Sequence, residues 1–256
     1  MKRFRAVARE GRADDTVLLD GGHLVEEALN SSIELGPVAF SDVAAVREAD
    51  LVRRCTQSGV RVIRVPRTIL DAMSPVRHAS GVVALAQVKT PELATVVVAR
   101  PPQLIIVLDS VQDPGNVGAT VRAAEALGGT AVIAASGTAD PLGWKALRGS
   151  MGSAFRLPVA TASDMQDAMK TIRHAGIRTF ATVPRGGTPL HRAALSMPSA
   201  VLFGGEGAGL SDELTRTADE LLTIEMRAPV ESLNVSIAAA LVLYEASRQR
   251  PHVAVR

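Results

Sequence analysis

A single cysteine, Cys55, stands among 256 residues. A framework of intrachain disulfides is therefore excluded, and the lone thiol fits a reducing compartment, with the cytoplasm the expected location. Five histidines are scattered without the spacing of a zinc site, so no metal is expected. Aromatic residues are just as scarce: five Phe, one Trp and one Tyr. Seven rings are too few for a platform on which successive bases stack, which leaves backbone and shape as the readout for any bound nucleic acid. No apolar run approaches the roughly 20 residues of a membrane span, and Met1–Asp15 is charged rather than signal-like, so no membrane partner is expected. A large excess of one charge is missing too. The net charge is +2 and the pI about 9.0, with 14 Lys/Arg against 12 Asp/Glu in residues 1–100 and 14 of each afterwards. A strongly basic field is excluded, whereas a local basic patch in the first hundred residues is not.

Apolar residues make up 47% of the chain, enough for a sizeable core in one large domain or two small ones. Two alternating stretches of strands and helices are predicted. In the first, Val17–Leu19, Val38–Phe40, Val60–Val65 and Gly81–Ala86 read as strands. Leu24–Leu29 and Val43–Thr56 read as helices, the latter capped by Ser41 or Asp42. This is a small α/β domain over residues 1–88. Residues 89–102 carry three prolines and read as a linker, with Ala94–Val98 as a brief strand. From residue 103 to 256 a second α/β domain is predicted. Its strands are Leu104–Leu108, Ala131–Ala135, Arg178–Val183, Ala200–Phe203 and Leu221–Ile224. Its helices are Val117–Leu127, Asp164–His174, Asp212–Thr217 and Leu233–Arg248. Buried strands alternating with helices argue a mostly parallel sheet covered on both faces.

Three segments of the second domain carry the chemistry. Residues 109–122 read Asp-Ser-Val-Gln-Asp-Pro-Gly-Asn-Val-Gly-Ala-Thr-Val-Arg, a strand end, a Pro/Gly turn and a helix start. Asn116 and Arg122 place an amide and a guanidinium near a helix N-terminus, a combination suited to a phosphate-bearing ligand. Residues 204–209 read Gly-Gly-Glu-Gly-Ala-Gly. A dinucleotide fingerprint is excluded, because such a loop opens its fold and fewer than fifty residues remain after this one. A Walker A loop is excluded by the lack of Gly-Lys-Ser/Thr. The third segment, residues 224–237, sets Ser232 and Asn234 at a helix entrance.

In this order and at these separations, the three segments resemble the signature motifs of the SpoU (TrmH-type) RNA ribose 2′-O-methyltransferases of the SPOUT superfamily. The resemblance spans residues 104–248 closely. Residues 18–29 and 74–85 resemble the opening and close of the small RNA-binding domain, similar to a ribosomal-protein fold, that often precedes the catalytic one. The resemblance implies a homodimer with its site near the interface, and a deep trefoil knot near residues 200–240. It implies S-adenosylmethionine as the methyl donor and RNA as substrate, with ribosomal RNA favoured and transfer RNA the nearer alternative; a non-catalytic RNA-binding protein retaining the fold is a different class of alternative. The implied catalytic residues are Asn116, Arg122, Glu206, Ser232 and Asn234. Family proposals make Arg122 the base, with help from a phosphate; because a guanidinium stays protonated, Arg122 is expected instead to grip a phosphate, position the ribose and stabilise charge, with the proton's destination open. Gly204, Gly205 and Gly207 are expected to let backbone amides approach the cofactor, flanked by Ile224, Met226 and Leu233. A branched side chain at Gly205 is expected to block the ligand while leaving the protein folded. Two features depart from the family pattern: Glu225 stands where proline is common, and Ala228-Pro229 where glycines are common. Lys145 and Arg148, within residues 145–158, resemble a family stretch and are candidate RNA contacts, as are Arg61 and Arg64. Arg67 and the N-terminal Lys2, Arg3, Arg5, Arg9 and Arg12 join that list.

Overall fold

The computed structural model describes residues 1–77, 79–98 and 103–250. Of the expected linker and second domain, residues 99–102 and 251–256 lie outside the described residues. The chain forms two compact units, Met1–Lys89 with Leu142–Arg156, and Thr90–Pro141 with Leu157–Arg256.

The first unit is built from α1 (Lys2–Glu10), β1 (Arg12–Ala13), β2 (Thr16–Asp20), α2 (Gly22–Asn30), β3 (Glu34–Ser41), α3 (Asp42–Arg47), α4 (Ala49–Gln57), β4 (Val62–Val65), α5 (Arg67–Asp71) and β5 (Val82–Gln87). Its mixed sheet has the order β1-β2-β5-β3-β4, with β3 and β4 parallel and the other pairs antiparallel. Phe4 and Val7 of α1 fall three apart on one face and enter a core with Leu18, Leu70, Val83 and Leu85. The charged N-terminus thus hides an amphipathic helix. The expected helix Val43–Thr56 is two helices: Ser41 caps the first through Ala44 N, and the turn ends at Glu48, with φ −110° and ψ 39°. The Glu48 carboxylate lies so close to Gly22 that a Cβ there would sit 1.8 Å from Oε2.

Residues 142–156 belong to this first unit although they come late in the chain. Trp144 packs against its core, and Arg156 pairs with Glu27.

The second unit begins with α6 (Leu93–Val98), β6 (Leu104–Asp109), α7 (Pro114–Ala126) and β7 (Ala131–Ala135). After α8 (Trp144–Ser150), which lies in the first unit, come β8 (Val159–Ala162), α9 (Met165–His174), β9 (Arg178–Thr182), β10 (Thr188–Pro189), β11 (Ser199–Gly204), α10 (Asp212–Thr217), β12 (Glu220–Thr223) and α11 (Val235–Gln249). The strand expected at Ala94–Val98 is the helix α6. Its β-branched residues favour a strand locally, but Leu93, Val96 and Val97 form an i, i+3, i+4 stripe that packs with Met169 and Ile172 of α9. Burial of that stripe outweighs propensity.

All seven strands of the second sheet pair in parallel, in the order β10-β12-β9-β11-β6-β7-β8. Leu104, Ile105, Ile106, Val107 and Leu108 of central β6 are fully buried, as strands covered on both faces must be. The chain proceeds outward from β6 through β7 and β8, then crosses to β9 and β11 on the other side. The order therefore reverses between β6 and β11, where a crevice opens at the carboxyl ends of the strands. Helix α7 starts there. Pro114 opens it, and the Asp113 carboxylate accepts from Gly115 N at 2.6 Å and Asn116 N at 3.1 Å. Replacing this cap, Asp113→Ala, should destabilise the protein by about 0.5–2 kcal/mol in chemical denaturation. An unchanged unfolding midpoint would show that the cap contributes nothing.

Candidate active site

The carboxyl ends of β9, β11 and β12, with the first residues of α11, enclose a cleft of about 640 Å³. Its wall includes Gly204, Gly205, Gly207, Ile224, Met226 and Leu233, all six expected cofactor contacts. Glu206, Ser232 and Asn234 line it as well. Thr182, Val183 and Pro184 at the end of β9 also line it; sequence reading missed them. Their signal was positional, because in a parallel sheet the strand carboxyl ends face one crevice.

Three segments meet through a chain of side-chain hydrogen bonds. Asn234 caps α11: its Oδ1 accepts from Ser236 N at 2.9 Å, Ser236 Oγ at 2.7 Å and Ile237 N at 3.4 Å. Its Nδ2 donates to Asn116 Oδ1 at 2.9 Å. Asn116 Nδ2 donates to Glu206 Oε1 at 2.6 Å. Asn234 thus serves as helix cap and as cleft residue with one amide. Ser236, which fixes that amide, is a further residue the sequence reading missed; a Ser two residues after an Asn cap is its signal.

Arg122 is exposed on α7 and takes no part in this chain of bonds. Six residues of helix separate it from Asn116, a rotation of about 240°, so the two side chains leave α7 on different faces.

The glycine loop is tight. Gly209 N donates to Gly205 O at 3.1 Å, and Gly207 and Gly209 have φ +95° and +67°. A Cβ on Gly204 would lie 2.1 Å from the Gly209 carbonyl carbon, and one on Gly205 would lie 2.1 Å from Ser110 O. The bare backbone at 205 therefore serves closure against the loop after β6. The expectation that a branched residue there leaves the protein folded is corrected by this contact with a main-chain oxygen.

Asp109 ends β6 in register with Gly204. Burial raises its carboxyl above the ordinary 3.8. Glu225, the departure from the family pattern, pairs with His191 at 3.4 Å, and the Ala228–Pro229 peptide is cis.

The candidate RNA contacts lie on the first unit. Arg64 is exposed on edge strand β4, and Arg61 is exposed just before it. Lys145 and Arg148 are exposed on α8, with Lys145 Nζ 5.4 Å from the Trp144 ring centre. Arg148 lies near buried Asp20, whose carboxyl is raised by burial against the opposing effects of the Ser74 hydroxyl and Arg148. Of the other basic residues, Arg3 donates to Thr16, Arg5 to Ala72 O, Arg9 pairs with Glu10, Arg12 with Asp15 and Arg67 with Asp71. Among the described residues no His/Cys/Asp/Glu cluster could hold a metal, and no helix is long and apolar enough to cross a membrane.

An α/β protein with its crevice at the reversal of a parallel sheet, and three sequence motifs joined there, defines the class. Residues 103–244 match the SpoU rRNA methylase family, and residues 18–92 match the family described as RNA 2′-O ribose methyltransferase substrate binding. The chain is 35% identical, over 97% of its length and 83% of the relative's, to an uncharacterized tRNA/rRNA methyltransferase of Mycobacterium ulcerans. It superposes with a TM-score of 0.84 and 28% identity on an rRNA methyltransferase of Sinorhizobium meliloti crystallised with AdoMet, covering 96% of this chain and 93% of that one. The SpoU methyltransferase AviRb of Streptomyces viridochromogenes, also with AdoMet, gives 0.82 and 26%, covering 97% of each chain. The chain belongs to the SpoU family of RNA methyltransferases.

Two outcomes test this geometry. Gly205→Ala should lower the melting temperature, since its Cβ meets a backbone oxygen and costs roughly 1–3 kcal/mol; a fully stable variant that merely loses ligand would restore the simpler expectation. Asp109→Asn should stabilise the protein at neutral pH. The native state binds this proton more tightly than the unfolded chain, so that stability is present below the ordinary 3.8 and is lost as pH rises through the raised value. Thermal melts should show a gain from Asp109→Asn at pH 7 that vanishes near ~pH 3.

Proposed function

We propose that this chain transfers a methyl group from S-adenosylmethionine to a ribose 2′-oxygen of RNA, with ribosomal RNA as the substrate. The observation that carries the reading is the hydrogen-bonded meeting of Asn116, Glu206 and Asn234 at the mouth of the cleft. The cleft suits the donor. Its volume falls within the range of about 300–1,000 Å³ common to small-molecule sites. Aliphatic groups of Leu222, Ile224, Met226 and Leu233 offer an apolar wall, and among the described residues its ionisable side chains are Glu206 and Glu231, both acidic, which favours a cationic ligand. When bound, S-adenosylmethionine supplies an electrophilic methyl on a sulfonium.

The protein's part is alignment. Asn116 and Asn234 hold each other's amides at the mouth of the cleft, and Ser232 is a hydroxyl partner for the ribose. Arg122 grips a neighbouring phosphate, and in-line placement of the reacting atoms supplies most of the rate.

The same reading assigns residues 1–88, with Arg61 and Arg64, to presenting RNA, joined by Lys145 and Arg148 of α8, and the rest of residues 103–256 to catalysis, with 89–102 running between them. It includes the trefoil knot near residues 200–240, a cytoplasmic location and a homodimer. Support for the dimer comes from a groove between α7 and α11 lined by Ala119, Ala123, Ile237, Leu241 and Tyr244, with Ile237 53% and Tyr244 57% exposed. On α7, Arg122 lies three residues after Ala119 and one before Ala123, so pairing through this face would bring it toward the interface.

Tritiated methyl should enter ribosomal RNA and leave the adjacent linkage resistant to alkali. Calorimetry should show S-adenosylmethionine bound and NAD failing to compete. Arg122→Ala should bind the cofactor normally and lose at least about 10²-fold in rate. An alkali-labile, base-methylated product would overturn the ribose assignment, and a wild-type rate for Arg122→Ala would overturn the role given to Arg122.

A further inference from the structure

The loop that follows β7 grips the corner that follows β6. Thr138 Oγ1 donates to Leu108 O at 2.9 Å and accepts from Val111 N at 3.4 Å. Ala139 N donates to Val111 O at 2.9 Å. Both main-chain groups of buried Val111 are thus held by neighbours in one loop. Between the two grips lie Asp109 and Ser110. Ser110 has φ +59°, the left-handed region that a residue with a Cβ rarely adopts. The bonds on either side hold it there. Gly137 closes the space: its φ is +78°, and a Cβ on it would lie 3.0 Å from Ser110 Oγ.

Two motifs lean on this corner. Gly205 packs on Ser110 O so closely that a Cβ would lie 2.1 Å from that oxygen. Asp113, three residues after Ser110, caps α7 and so sets where the helix carrying Asn116 begins. Asn116 and Glu206, one on each motif, are joined at 2.6 Å. Their bond tolerates little displacement, because a hydrogen bond weakens steeply away from its best geometry. Among the described residues, Thr138 is not part of the cleft wall. We propose that Thr138 is a positioning residue for the reaction, an assignment that rests on the methyl-transfer reading above. Its hydroxyl fixes the corner at residues 108–111, and through that corner the meeting of Asn116 with Glu206. Bridging a carbonyl oxygen and an N–H at once takes a group that both donates and accepts, as a hydroxyl does.

The amino end of β6 offers the comparison. Thr130 Oγ1 donates to Leu104 O at 3.2 Å and accepts from Leu104 N at 3.0 Å. This is the same kind of bridge, at the end of the strand away from the cleft. Loss of either hydroxyl removes two hydrogen bonds, but only Thr138 stands behind the motifs.

Thr138→Val keeps the shape of the side chain and removes the oxygen. In the full-length protein its kcat should fall about tenfold or more, as misplacement of reacting groups does. Calorimetry should find S-adenosylhomocysteine and RNA binding within about threefold of wild type, because the affected groups align rather than hold. Thr138→Ser should recover kcat to within about threefold. Thr130→Val should lower the melting temperature by a similar amount and leave kcat near wild type. In an Asn116→Ala background Thr138→Val should cost at most about twofold more, since the two residues act as one unit. Nitrogen NMR supplies a readout without turnover. The side-chain amide signal missing in Asn116→Ala should shift in Thr138→Val and return in Thr138→Ser. Should Thr138→Val not fold, Thr138→Ala carries the same comparisons. A wild-type kcat in Thr138→Val, a loss matched by Thr130→Val, an undiminished loss without Asn116, or an unmoved amide signal overturns the proposal. A wild-type protein that methylates no ribose overturns the methyl-transfer reading instead, and the amide signal then still decides whether Thr138 orients Asn116.

Discussion

The side-chain amide of Asn234 accepts from the first turn of α11 with its oxygen and donates to Asn116 with its nitrogen. An amide has a fixed donor end and a fixed acceptor end, so this one contact propagates an orientation. The unsatisfied N–H groups at a helix start choose which way Asn234 points. Asn234 then chooses for Asn116, and Asn116 for Glu206. The helix whose burial of Ala239, Val242, Leu243 and Ala246 anchors the end of the described chain thus sets the polarity of groups that follow β6 and β11. Stability of α11 and geometry of the cleft are one constraint.

The glycine loop is the second half of that constraint. Gly204 and Gly205 have backbone neighbours where a side chain would be. Closing the loop this tightly places Glu206 against Asn116 and brings main-chain groups to the cleft surface. Small residues here serve contact within the protein first. A ligand benefits because the packing leaves backbone, rather than side chains, on its wall.

Much of this was legible in the sequence. The five main strands of the second unit sit within a residue or two of their expected places, because buried parallel strands are continuous apolar runs, as Leu104–Leu108 shows. Asn116, Glu206 and Asn234 were legible as a group through their order along the chain, and Asn234 as a cap through its type. Other parts were not. Leu93–Val98 hid a helical stripe beneath β-branched residues. The late segment 142–156 gave no sign that Trp144 would pack into the first unit's core, since long-range partners leave no local pattern. The direction of each amide was invisible because it depends on three-dimensional donors at α11. The N-terminal arginines illustrate the converse: Arg3, Arg5 and Arg12 bind groups of their own unit, so a count of basic residues overstates the charge free for a partner.

Charge placement completes the argument. The cleft carries two carboxylates and no cation among its lining residues. An RNA strand bears a negative charge at every nucleotide, and a phosphate brought beside Glu206 would be repelled at close range. Under the proposed reading, only the ribose hydroxyl can enter, and its flanking phosphates must be met elsewhere. Arg122 is suited to that because it stands outside the acidic cleft on another face of α7. Moved into the cleft, a guanidinium would pair with Glu206 and leave neither group free for its task. Under that reading, keeping Arg122 apart from Glu206 leaves the guanidinium free for a phosphate and the carboxylate free to face the sulfonium.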